Sequence, residues 1–111
     1  MSEFAFLYRG RPAYSSPEEM QKVTQKWMAW FKDLTAKGHV KEIGHPLDRD
    51  GKVVSGREKT IHDGPFAEAK DLIGGFSVIE ARDLAHAAEL AGGCPGLEYG
   101  GSVEIRPIQK M

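Results

Sequence analysis

Residues 16 to 38 carry every mark of a long amphipathic helix. Ser16-Pro17-Glu18-Glu19 opens it. The serine oxygen can accept from an orphan backbone N–H, proline fits the first turn, Glu19 completes a capping box, and both acids suit the positive end of the helix dipole. Met20, Val23, Trp27, Trp30, Phe31 and Leu34 then recur in steps of three and four, and Gly38 offers a stop. A helix with so wide an apolar stripe is built to lie on another layer, which makes the fold a layered one.

Short strand patterns surround that helix. Phe4 to Arg9 alternates Phe4, Phe6 and Tyr8 with Ala5 and Leu7. Val40 to Leu47 and Lys52 to Ile61 read as two strands joined by a hairpin-type turn at Asp48-Arg49-Asp50-Gly51, with Gly51 supplying positive φ. Their thin apolar content leaves at least one face wet. Ile73 to Glu80 is another strand. Asp83 caps a short helix through Leu84, Ala87, Ala88 and Ala91, which Gly92-Gly93 ends, and Ser102 to Arg106 is a final strand. The order β-α-β-β-(β)-α-β predicts an α+β, ferredoxin-like sandwich with both helices on one sheet face. Either Phe4, Phe6 and Tyr8 or Ala5 and Leu7 must then line the opposite face. A bare apolar face of that kind predicts a homodimer.

Composition sets bounds on the partners. The 111 residues, read as a single domain spanning 1–111, hold 15 Lys and Arg against 16 Asp and Glu, for a net charge of −1. Neither a nucleic acid nor a membrane surface is expected as a partner, since both reward a basic excess. Cys94 is the only cysteine, so an intramolecular disulfide is excluded. With no signal-like start and no apolar run near the ~20 residues that span a bilayer, the expected location is cytoplasmic.

Most familiar site signatures fail. Asp48-Arg49-Asp50-Gly51 lacks the later ligands of a calcium loop, and Lys59 stands where the bidentate Glu belongs. The Gly-Gly pairs match neither a phosphate loop nor a dinucleotide fingerprint, so no cofactor is expected. No spacing suggests a metal site. His39 and His45 read as polar loop residues, and His86 as a solvated helix residue. Trp27 and Trp30 read first as core, with an edge free to line a pocket. Cys94 reads as a small buried residue.

The segment His62-Asp63-Gly64-Pro65-Phe66-Ala67-Glu68-Ala69-Lys70-Asp71 is the richest in chemistry. One reading is a structural turn with solvated charges, Asp63 folding its carboxylate onto nearby N–H groups. The other is a site, with His62 or Asp63 as general acid or base, Lys70 steadying a developing anion, Glu68 adding an acid, and Phe66 as a wall. Tyr8, Arg9 and Trp27 are further candidate pocket walls. If a strand continues through both His62 and Asp63, their side chains point to opposite faces, so cooperation needs a bend or other partners.

Asp63-Gly64-Pro65-Phe66-Ala67-Glu68-Ala69-Lys70-Asp71 resembles the signature of the YCII-related proteins, also called the DGPF family. The opening strand, the helix carrying Trp27 and Trp30, Arg49-Asp50-Gly51-Lys52, Gly74-Gly75-Phe76, Cys94-Pro95 and Val103-Glu104-Ile105-Arg106-Pro107 follow in that family's order. The resemblance implies a dimeric α/β barrel of ferredoxin-like subunits and relatives that act on small aromatic or lactone substrates. It also implies a His–Asp pair in a cleft. Here no histidine follows the first strand, where Arg9-Gly10-Arg11 stands, and His62 is the substitute.

Three functions follow as expectations. The first is a cofactor-free acid–base enzyme, such as a lyase, isomerase or dehydrochlorinase, acting on a small molecule. The second is a non-catalytic ligand-binding or regulatory module, which the resemblance links to sigma-factor-dependent transcription. The third is a plain dimeric interaction domain.

Overall fold

The computed structural model describes residues 1–10, 16–64 and 71–111. In chain order its elements are β1 (Ser2–Arg9), α1 (Pro17–Ala36), β2 (Val40–Pro46), β3 (Gly51–Ser55), β4 (Thr60–Gly64), β5 (Ile73–Ala81), α2 (Leu84–Ala91), a 3-10 segment (Pro95–Tyr99) and β6 (Ser102–Pro107). Four strands form an antiparallel sheet in the order β2-β5-β1-β6. With α1 and α2 as its two crossovers, this is the ferredoxin-like α+β fold. No helix among the described residues is long and apolar enough to cross a membrane.

The helix ends form as their residues dictate. Ser16 Oγ accepts from the N–H of Glu19 at 3.1 Å. At the other end Gly38 takes φ +80°, so that its N–H reaches Thr35 O and that of His39 reaches Leu34 O, at 3.0 and 2.9 Å. These two bonds satisfy the last carbonyls and turn the chain into β2. The Asp83 carboxylate accepts from His86 N at 2.8 Å and starts α2 in the same manner.

Packing settles which face of β1 is inside. Phe4 and Phe6 are 3% and 0% exposed and pack with Leu34, Ile79, Ala81, Ala87 and Ala91, with Tyr8 against the cluster's edge. Burying each phenylalanine contributes roughly 1.5–3 kcal/mol. Ala5 and Leu7, with Phe76 and Val78 beside them on β5, therefore occupy the face away from the helices and are only half-buried.

One stretch departs from the sequence expectation. Lys52 to Ile61 is two strands instead of one: β3 pairs with β4 in a separate two-stranded sheet, turning at Gly56 (φ +72°) and Lys59 (φ +57°). Asp48-Arg49-Asp50-Gly51 therefore links two sheets, and Gly51 lies in the ladder opposite Gly64, outside the left-handed region. β2 instead pairs with β5. The reason is burial: Val54 and Ile61 are 62% and 65% exposed, so no packed face marks these strands in the apolar pattern.

Candidate functional site

The apolar stripe of α1 is buried unevenly: Val23 and Leu34 are buried, the residues between them less so. Leu34 joins the core cluster, whereas Trp27 and Phe31 remain half-buried and Met20 is exposed. Between this part of the helix and the sheet lies a cavity of about 710 Å³. That size suits a small-molecule site. Tyr8, Val23, Trp27 and Phe31 supply aromatic and apolar wall, Gly74 and Gly75 a floor without side chains, and Cys94 and Ser102 the side toward β6. The Tyr8 and Trp27 rings meet edge-on with centroids 4.9 Å apart, and Trp27 and Phe31 lie 5.8 Å apart. Edge-on and tilted packing of this kind joins the rings into one continuous wall.

A bulge in β2 shapes the opposite rim. Between Glu42 and His45, three residue steps on β2 pass two on β5, and Gly44 takes φ +75° at the extra residue. A Cβ at position 44 would fall 1.7 Å from the carbonyl oxygen of Phe76, so only glycine fits. The carbonyl of Ile43, next to the bulge, accepts from Ser77 Oγ at 2.6 Å, and Ser77 Oγ accepts from the Tyr8 hydroxyl at 2.9 Å. Burial pushes the Tyr8 phenol above its usual range, only partly offset by the Ser77 bond. Burial likewise pushes the Cys94 thiol up to about 11, against which bonds from the backbone of Gly96 and Leu97 act weakly. Both groups are thus neutral donors at neutral pH.

Arg9 is tied in place. Its Nε and Nη2 donate to Glu104 Oε1 at 2.8 and 2.7 Å, and its Nη1 donates to the backbone oxygen of Asp71 at 2.5 Å. The bond from Arg9 holds the Glu104 carboxyl below its usual range. His45 and Arg49 complete the rim. His45 is exposed, its ring centroid 6.2 Å from that of Phe76. Its position on β2, opposite Phe76, puts it on the strand face away from the helices.

Of the residues singled out in the sequence, Tyr8, Arg9 and Trp27 line this cavity together. His62 and Asp63 do not line it. They are consecutive in β4, on the β3–β4 hairpin, and an unbroken strand turns them to opposite faces. The Asp63 side chain is 90% exposed and paired with Lys52 Nζ at 2.6 Å. Phe66, Glu68 and Lys70 lie outside the described residues. His45, expected in a loop, belongs to β2, and His86 is half-buried with its ring 5.2 Å from that of His39. Sequence reasoning passed over Phe31, His45, Arg49, Phe76 and Ser77. The one available signal was Gly44 inside a strand pattern, a mark of a bulge and of a re-aimed neighbour. Among the described residues no three His, Cys, Asp or Glu side chains gather as a metal site.

The family model for the YCII-related domain matches residues 2–111. No curated protein matches the sequence. Among solved structures, the chain is similar to 5-chloro-2-hydroxyhydroquinone dehydrochlorinase from Burkholderia phenoliruptrix in complex with 2,5-dihydroxybenzoquinone. The TM-score is 0.57 at 16% identity, covering 98% of this chain and 95% of that one, a likeness of fold.

Proposed function

Since the chain belongs to the YCII-related domain family, we propose that it is a cofactor-free acid–base enzyme, a lyase or isomerase, acting on a small flat molecule in the cavity under α1. The observation that carries this reading is the cavity itself: aromatic walls of Tyr8, Trp27 and Phe31 over a floor of Gly74 and Gly75, with His45 at the β2 rim. Flat apolar walls select a planar ring, and the few polar groups orient it. In this reading His45, the histidine among the lining residues, is the proton carrier: β2 is an edge strand of the sheet, so its imidazole reaches the cavity mouth by turning around that edge from the Phe76 side. Tyr8, held by Ser77, orients the substrate as a neutral hydroxyl. A dehydrochlorinase of the same fold supports the class of reaction, since loss of hydrogen chloride needs a proton removed and no redox partner.

The same reading includes a cytoplasmic homodimer. Ala5, Leu7, Phe76 and Val78 offer a half-buried apolar surface on the uncovered sheet face. A second copy laid there also covers Phe76 and borders the β2 edge that carries His45.

The test uses 2,5-dihydroxybenzoquinone as ligand and 5-chloro-2-hydroxyhydroquinone as substrate, with chloride release as the readout. Saturable quenching of indole fluorescence, lost in Trp27→Ala, is expected. So is chloride release that His45→Ala abolishes while leaving binding intact. Asp63→Ala is expected to change neither. Binding without turnover of any chlorinated or isomerisable ring would favour a ligand-binding module, and absence of binding would overturn the cavity as the site.

A further inference from the structure

Among the described residues, the Lys, Arg, Asp and Glu that line the cavity are of one sign. Its described lining includes Arg9, Arg49 and His45 and no aspartate or glutamate, although acids outnumber Lys and Arg in the chain, 16 to 15. Arg9 is ion-paired: Glu104 Oε1 takes two of its N–H groups, while Oε2 of the same carboxylate lies 3.4 Å from Arg106 Nη1. Arg49 makes no ion pair with any described residue. A guanidinium that forms no ion pair with a described carboxylate, beside apolar aromatic surface, favours an anion there, and low-dielectric walls focus its field. The guanidinium also offers a fork of donors that matches a carboxylate or an equivalent planar anion.

We infer that the cavity selects anions: its ligand is a flat apolar ring bearing a carboxylate or similar anionic group, with Arg49 as the residue that recognises the charge. This rests on the reading of the cavity as the small-molecule site and adds the chemical class of what enters it. Trp27 and Phe31 take the ring, and Arg49 at the rim takes the anion. Arg9 has a different part: locked by Glu104 and the Asp71 carbonyl, it fixes the end of β1.

Two probes of the same ring system separate charge from shape, 2-naphthoate and the neutral 2-naphthamide. Each is titrated into the full chain while the indole N–H resonance of Trp27, assigned with Trp27→Phe, is followed. At low salt, 2-naphthoate is expected to bind about fivefold tighter than the amide, the size of one solvent-accessible charge pair. Added salt should shrink that preference, Arg49→Gln should abolish it, and Arg49→Lys should keep part of it. Arg57→Gln, a charge change in the turn between β3 and β4, should leave it unchanged. Equal binding of the two probes, or a preference that survives Arg49→Gln, would overturn the inference and leave the cavity reading standing. Failure of both probes to move the Trp27 signal would overturn the two together.

Discussion

The Tyr8 hydroxyl reaches across from β1 to donate to Ser77 Oγ on β5 at 2.9 Å, and Ser77 hands the chain on to the Ile43 carbonyl on β2 at 2.6 Å. Three of the four strands of the main sheet are thereby joined by side-chain bonds beside the cavity. Ser77 is fully buried. Ser77→Ala leaves the Tyr8 hydroxyl without its acceptor and the Ile43 carbonyl without its donor. The expected loss of stability is about 1–3 kcal/mol, measured by urea unfolding. Tyr8→Phe keeps the Ser77–Ile43 bond and should cost less, about 1 kcal/mol.

Gly44→Ala should be among the most damaging small substitutions in the chain. The new methyl would meet the Phe76 carbonyl oxygen at 1.7 Å from a backbone at φ +75°, so the bulge must open. A loss of about 2 kcal/mol or more is expected. Gly38→Ala, also at positive φ (+80°) but with nothing within 4 Å, isolates the backbone component and should cost about 1 kcal/mol. Thermal and urea unfolding of the pair gives the difference that belongs to the Phe76 contact.

Stability should fall in mild alkali. The folded chain raises the Cys94 thiol from 9.0 to about 11 and the Tyr8 phenol further still, both chiefly by burial. As pH rises past 9.0 the unfolded chain releases the Cys94 proton while the folded chain keeps it. The unfolded state then binds fewer protons, so unfolding becomes easier with rising pH. The contribution is whole below that pH and disappears as pH climbs through the folded values. Urea midpoints taken between about pH 8 and pH 10.5 should decline, and Cys94→Ala should flatten the first part of the decline.

The homodimer is tested on the face that the helices leave bare. Leu7→Asp and Val78→Asp each place a carboxylate among Ala5, Phe76 and the other half-buried apolar side chains, pointing away from the core. Folding should be retained, because neither residue belongs to the buried cluster. Sedimentation should show a dimer for the unaltered chain and a monomer for each variant, with the dissociation constant raised about a hundredfold. A monomer for the unaltered chain at all concentrations would end the dimer proposal.

Local chemistry was legible from the residues alone. Ser16-Pro17-Glu18-Glu19 and Gly38 bound α1, and Asp83 and Gly92 bound α2, because a cap is made within a few residues and needs no distant partner. The alternation in β1 was equally plain, and so was the β-α-β order that yields the ferredoxin-like sheet. The β3–β4 hairpin was not, since exposed strands such as those carrying Val54 and Ile61 leave no burial pattern to read.

The site divides along the same line. Tyr8, Arg9 and Trp27 could be suspected as pocket walls because aromatic and basic residues at element ends are natural lining. That Phe31 stays half-open, that Gly44 turns the chain against Phe76, and that Glu104 pairs with Arg9 while Arg49 pairs with no described residue are facts of distance between residues far apart in the chain. Sequence alone determined where the helices begin and end and which strand positions share a face, because backbone capping and side-chain alternation act over a few residues. Only the tertiary structure decided which β1 face is buried, that β2 joins β5 instead of β3, and where the cavity lies. Those outcomes depend on packing and charge neutralisation among segments that meet only once the sheet has formed.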